Sequence, residues 1–378
     1  MNPKLLVWAR ERAGLSIAEA AARISKAPEA LDAWETGQEA PTYLQLERLA
    51  EKVYKRPVAL FFFPEPPAEE PPQSEFRTVP DFDLDSLSSD TRFAIRDAHA
   101  YLDSIRELAG GENPAPRLIT RDISASLEGD AAELAQSVRQ YLGIEIDTQQ
   151  SWQGTREAMS EWRDAVESAG VFVLKRSFEQ PEIAGFCIFD RSFPLIIVNN
   201  STPFTRQIFT LFHELGHLLF GVSTISKTSA GFVDRFSGPA KAMEIACNRF
   251  AAEFLLPSNS LPRPRSPAAF DVGLVSHLAD RYKVSREVVL RRYLDWHFVD
   301  AATYSRLVRE WDDDGEGRGE GGGGNYYATK AAYLGNAFLN LAFGQLYAGR
   351  ITVAQLAEHL NVRAPNLARL EAFHMARE

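Results

Sequence analysis

His213-Glu214-Leu215-Gly216-His217 decides how this 378-residue chain is to be read. Residues four apart lie one above the other on a helix, so His213 and His217 can each aim a ring nitrogen at one metal ion. Glu214, one position along, stands beside them and can take a proton from water that the metal has acidified. The flanks Ile208, Phe209, Leu211, Phe212 and Leu215, Leu218, Leu219, Phe220 are apolar nearly all round, which marks a buried helix. Two histidines and a glutamate are costly inside such a helix unless something binds them. A metal ion supplies that partner.

A third ligand is then expected, and Ala242-Met-Glu-Ile-Ala-Cys-Asn-Arg-Phe-Ala-Ala-Glu-Phe-Leu-Leu-Pro257 offers one. The segment reads as a second apolar helix closed by its proline. Glu244, Cys247 and Asn248 fall on one face at i, i+3 and i+4. Glu244 can complete a His2Glu set with an open fourth position, the arrangement of catalytic zinc sites. Asn248 is placed to orient a ligand. Glu253 falls on another face and reads as solvated.

Taken together, Thr210-Leu-Phe-His-Glu-Leu-Gly-His217 and Glu244-x-x-Cys-Asn-Arg-Phe-Ala-Ala-Glu-Phe-Leu-Leu-Pro257 resemble the ImmA/IrrE family of bacterial metallopeptidases. The resemblance extends upstream through Gly170–Leu174, Gly185–Asp190 and Pro194–Asn199, which are similar to the family's small sheet. Downstream it runs through Val284-Ser285 and Arg291-Arg292-Tyr293. It implies a thermolysin-like two-helix site with His213, His217 and Glu244 as metal ligands and Glu214 as the catalytic base. It also implies zinc as the cofactor and cleavage of helix-turn-helix repressors in stress response or mobile-element regulation. Position 247 departs from the family, holding Cys where a small alanine is usual. Cys247 reads as a small buried residue; a second reading makes it a thiol whose oxidation stops activity. A His2Glu site accepts Mn²⁺ or Fe²⁺ as well as Zn²⁺. A donor for the developing oxyanion is also needed, and His277, Tyr282, Arg291 and Arg292 are within reach by chain order.

Composition is that of a globular protein, 45% hydrophobic and 24% charged. A net charge of −10 gives no global attraction to nucleic acid or anionic membrane. The two cysteines, Cys187 and Cys247, fit a reducing compartment rather than a disulfide framework. The apolar run before Arg10-Glu11-Arg12 is too short for a signal peptide, and no stretch of about 20 apolar residues suggests a membrane span. A cytoplasmic protein is expected.

Residues 1–63 resemble an XRE-type helix-turn-helix, with helices over Lys4–Ala13, Ile17–Ile24, Pro28–Thr36 and Thr42–Lys52. Ser16 and Glu19 form a capping box, Pro28 opens the recognition helix, and Trp34-Glu-Thr-Gly37 is its exit. That recognition helix carries Glu29, Asp32 and Glu35 and no residue that reads base edges. Nine Lys/Arg against eight Asp/Glu over 1–63 leave it nearly neutral, so DNA is the weaker expectation and a protein partner at least its equal.

Pro64–Pro72 is an acidic, proline-rich spacer within a linker at 64–89. Helices are expected over Thr91–Ala109, Ala131–Tyr141 and Thr155–Ala169 in a metallopeptidase domain at 90–311. A Gly/Asp-rich linker follows at 312–324. Residues 325–378 read as a helical module, with one helix over Ala328–Ala348 and a truncated helix-turn-helix over Thr352–Leu370 that packs on the protease or a partner. Asn199 and Asn200 terminate a strand. The expected architecture is an all-α helix-turn-helix head, an α+β domain with a small sheet and a two-helix metal site, and a short α-helical C-terminal module. Its expected activity is that of a zinc endopeptidase. A transcription regulator or antitoxin-like protein whose metal domain senses is the alternative, and an interaction protein with an inactive site the third.

Overall fold

The computed structural model describes residues 1–69, 76, 84–227, 236–267, 270–313 and 325–376. Residues 70–72 at the end of the acidic spacer, most of the linker from there to residue 83, and residues 314–324 of the glycine-rich linker therefore lie outside the described residues. The chain divides into two compact units, residues 1–99 with 178–180, and residues 100–177 with 181–378. No helix among the described residues is long and apolar enough to cross a membrane.

In the first unit, α1 (Pro3–Arg12), α2 (Ile17–Arg23), α3 (Pro28–Glu35) and α4 (Tyr43–Glu47) enclose Leu5, Leu6, Leu31, Trp34 and Leu49. α4 runs on as a π-helical turn over Arg48–Val53, and Val58–Phe62 forms a 3₁₀ turn. The capping box at α2 forms: Glu19 N–H donates to Ser16 Oγ at 3.2 Å and Ser16 N–H donates to Glu19 Oε2 at 2.8 Å. Ser25 turns the corner between α2 and α3 in the left-handed region, at φ 56°. Of the three acids on α3, Glu35 turns inward and clasps the Arg10 guanidinium with two hydrogen bonds of 2.8 and 2.9 Å. Glu29 and Asp32 face solvent.

The second unit is α+β. After α5 (Ser89–Leu108), which begins in the first unit, come α6 (Ala131–Leu142) and α7 (Thr155–Ser168). The strands β1 (Phe172–Arg176), β2 (Ile183–Ile188) and β3 (Leu195–Asn199) precede α8 (Phe204–Leu219), and β4 (Thr224–Lys227) follows it. β1 to β3 match the three expected strands; β4 was not expected. The sheet order is β1-β3-β2-β4, with β1 parallel to β3 and β2 antiparallel to both its neighbours. β3 is central and buried along its whole length, as its run of Leu, Ile, Ile and Val requires. Asn199 ends it and also pins it, donating to Ile183 O at 2.7 Å and accepting from Ser201 N–H at 2.9 Å.

α8 crosses the sheet closely because Gly185 has no side chain. A Cβ there would lie 2.5 Å from Ile197 O and 2.9 Å from Thr210 Cγ2. Gly185→Ala is therefore expected to cost about 1–3 kcal/mol through overpacking against backbone that cannot yield. Denaturant unfolding checks this; an unchanged midpoint would mean that helix and strand separate freely. Beneath α8 the core centres on Trp162, whose ring meets Trp152 and Phe212 edge-on at 5.0 Å, while Phe212 stacks on Phe254 at 4.1 Å.

α9 (Gly238–Leu255), α10 (Val272–Tyr282), α11 (Arg286–Asp295) and α12 (Ala301–Asp313) complete the body of the unit. Residues 325–376 belong to the same unit, as α13 (Tyr326–Leu334), α14 (Asn336–Tyr347), α15 (Val353–His359) and α16 (Leu367–Met375). The single helix expected over Ala328–Ala348 is broken at Gly335, which adopts φ 80° and ψ 161°. The cause is tertiary. Arg163 of α7 donates to Ala332 O at 2.7 Å, near the C-terminus of α13, and Glu167 accepts from Ala337 N–H at 2.9 Å, at the N-terminus of α14. Each charge thus sits at the helix end that its sign favours. The pair also joins directly at 3.1 Å, and any Cβ at Gly335 would collide with both side chains.

Candidate metal centre

The site is made where α8 meets α9. Gly216 lets the helices close up: a Cβ there would meet Cys247 Sγ and Phe250 Cδ1 at 3.2 Å. This approach brings Glu244 under the two histidines. His213 Nε2 lies 3.1 Å from His217 Nε2, and Glu244 carboxylate oxygens lie 3.5 Å from His213 Nε2 and 3.3 Å from His217 Nε2. All three residues are buried and offer one ligand atom each to a common point. A tetrahedral ion with arms of 2.0–2.1 Å has ligand-to-ligand edges of about 3.3 Å, so the spacing fits an ion without rearrangement. Asn248, one turn along from Glu244 on α9, lines the same cleft as His213.

Burial and charge oppose one another here. Burial alone would raise the Glu244 carboxyl, but the charge of His217 and hydrogen bonds from both rings outweigh it and hold Glu244 far below the ordinary carboxylate range. Burial would lower His213, yet its hydrogen bond to Glu244 raises it. Glu214 is different. It is fully buried, neither carboxylate oxygen makes a well-formed hydrogen bond although Ser226 and Cys187 lie beside it, and burial pushes its carboxyl above the ordinary value. An orphaned buried carboxyl beside a set of ligand atoms is a cost that a folded core alone does not explain.

Cys247 is fully buried against Gly216, and burial pushes its thiol well up, an environment that suits the packing reading. Gly216→Ala is expected to prise α8 from α9 and weaken metal binding roughly tenfold or more. Adding Cys247→Ala to that variant should restore most of the affinity. Titration with a chelator checks both, and failure of the second change to rescue would place the clash elsewhere.

A broad cleft opens over His213, lined among others by Phe209, Ser226, Lys227, Glu244 and Arg249. Of the four oxyanion candidates, Tyr282 is buried with its hydroxyl on Ser260 O at 3.2 Å, and His277 does not line the cleft. Arg292 lines it and is held by Glu253 at 2.9 Å, and Arg291, exposed on the same wall, lies 3.4 Å from Asp295. The Glu253 reading needs correction: this carboxylate is buried and also accepts from Ser258 N–H at 2.8 Å. Its neighbours hold the end of α9, whose last carbonyls take hydrogen bonds from three elements. Arg139 donates to Phe254 O, Gln149 to Leu255 O at 2.9 Å, and Arg292 to Leu256 O at 3.3 Å.

Two histidines and a glutamate gathered from adjacent helices above a small mixed sheet form a candidate metal site in an α+β domain, which a helical head accompanies. Residues 166–294 match the peptidase M78 family model, described as an IrrE N-terminal-like domain, and residues 6–53 match a helix-turn-helix model. Both agree with the resemblances drawn from the sequence. The first span contains His213, Glu214, His217 and Glu244. Comparison with curated proteins finds no match.

Proposed function

We propose that this chain is a metal-dependent endopeptidase that cuts a protein substrate, with His213, His217 and Glu244 holding the ion and Glu214 as general base. The observation that carries the reading is the orphaned Glu214 carboxyl beside three convergent ligand atoms; a purely structural metal site has no use for it. A divalent ion held there, Zn²⁺ in the first instance, supplies Lewis-acid polarisation of a carbonyl and makes water more acidic. Glu214 takes a proton from the attacking water and returns it to the leaving amine, a double role suited to a carboxyl whose proton affinity burial has raised. β4 supports the substrate. It is the sheet edge whose Ser226 and Lys227 line the cleft, and an extended peptide can add to it by main-chain hydrogen bonds. Arg291 is the more exposed of the two arginine candidates for the oxyanion.

The substrate we infer is a helix-turn-helix repressor, in keeping with the helix-turn-helix match at residues 6–53, and the setting is stress response or mobile-element regulation in the cytoplasm. The test is incubation of Zn²⁺- or Mn²⁺-loaded protein with repressors encoded beside its gene, read by mass spectrometry. A defined cleavage site is expected. Intact repressors, together with tight operator binding by the chain itself, would favour the regulator reading instead.

A further inference from the structure

Three helix-turn-helix corners are built on one register in this chain. Ser25, Lys283 and Asn361 each turn a corner with positive φ, at 56°, 58° and 48°. Alanine stands four residues before each corner, at Ala21, Ala279 and Ala357, and a buried aliphatic six residues after, at Leu31, Val289 and Leu367. The first and third also share the entry. Thr352 and Gln355 form a capping box at α15 as Ser16 and Glu19 do at α2. The C-terminal segment is thus an internal repeat of the head.

The repeats differ in what their second helix presents. In the middle copy α11 is occupied: Arg286 stacks on Trp311, Glu287 accepts from Tyr304, and Arg292 pairs with Glu253. In the head, Ala27–Trp34 exposes Glu29 and Asp32 and holds no Lys, Arg, Asn or Gln. In the C-terminal copy the same register carries the opposite chemistry. Ala27 is replaced by Arg363, Glu29 by Pro365, Ala30 by Asn366, Asp32 by Ala368 and Ala33 by Arg369. Arg363 and Arg369 are exposed, with no side-chain hydrogen bond or ion pair among the described residues; Asn366 is half-buried and accepts from Tyr327 at 3.3 Å. Of the acids nearby, Glu371 is taken by the Tyr347 hydroxyl, and Glu358 lies on α15.

Cations just before and along the second helix neutralise phosphate. Arginine and asparagine are also the side chains that read guanine and adenine edges, and the N-terminal part of the second helix is the part that enters the major groove. We propose that the C-terminal helix-turn-helix, Thr352–Met375, is the double-stranded DNA contact of this chain, through Arg363, Asn366 and Arg369. The head, with its acidic second helix, is not that contact.

Fluorescence anisotropy of the full chain with a labelled duplex about three helical turns long, at about 50 mM salt, tests this. The duplexes are a random-sequence pool, so that the phosphate component alone gives a signal. Replacing both arginines (Arg363→Gln with Arg369→Gln) is expected to weaken binding roughly tenfold or more and to flatten the plot of log affinity against log salt by about two units. Both positions are exposed, so the unfolding midpoint should not move. Lys26→Glu, at the corner of the head, should leave the affinity unchanged. Binding that survives the double replacement, or that is lost with Lys26→Glu, would overturn the assignment. No anisotropy change by the unaltered chain would overturn it too, and leave the face to a protein partner.

Discussion

Glu214→Gln is expected to lower peptide hydrolysis by about 10²–10⁴-fold, the usual contribution of a general acid–base group, while metal content stays the same. The amide keeps the shape of the side chain but takes no proton from water. It also removes a buried carboxyl without a well-formed hydrogen bond, so the variant should unfold at a temperature no lower than that of the parent. Activity falling as stability holds or rises is the signature of a residue retained for chemistry. Turnover within about tenfold of the parent at full metal occupancy would remove Glu214 from the proton-transfer role.

Arg163→Leu has the second large effect, on stability. The guanidinium and its Glu167 partner are both buried, with side-chain exposures of 9% and 4%. Removing one member of such a pair leaves the other charge uncompensated, at about 3–5 kcal/mol. Burial already raises the Glu167 carboxyl, with Arg163 opposing the rise; without Arg163 it rises further. A carboxyl whose folded-state pKa exceeds its unfolded value binds a proton on folding, so its stabilising contribution is present at acid pH and lost as pH rises through the folded value. The deficit of the variant should therefore be largest at neutral pH and shrink towards pH 4–5. Adding Glu167→Gln should recover much of the loss, since Gln still accepts from Ala337 N–H. Unfolding curves at two pH values decide it, and a deficit that is the same at both would show that the packing of Arg163, not its charge, matters.

The convergence of the candidate site was legible because its information is local. His213, Glu214 and His217 stand at helical spacing on one segment, and Glu244 declares itself by sharing a face with Cys247 and Asn248 on the next. Elements that depend on distant partners were not legible. The break at Gly335 needs Arg163 and Glu167, which lie on another helix far earlier in the chain. Glu253 reads as solvated on its own helix because its partner, Arg292, belongs to α11. β4 is a four-residue strand, too short for alternation to distinguish it from a loop, and it exists because β2 offers an edge.

The hold on the end of α9 also bears on what the smallest working piece of this protein is. Arg139 and Gln149, which satisfy two of its last carbonyls, precede residue 166, where the peptidase match begins. So do Trp162, on which Phe212 and Phe254 rest, and Trp152, which backs Trp162. The segment that the family model matches is therefore not expected to fold on its own. An excised fragment that starts at its boundary would keep every ligand residue and lose the anchorage that keeps Glu244 in register with the histidines. A fragment that begins ahead of α6 is the shortest one that retains it.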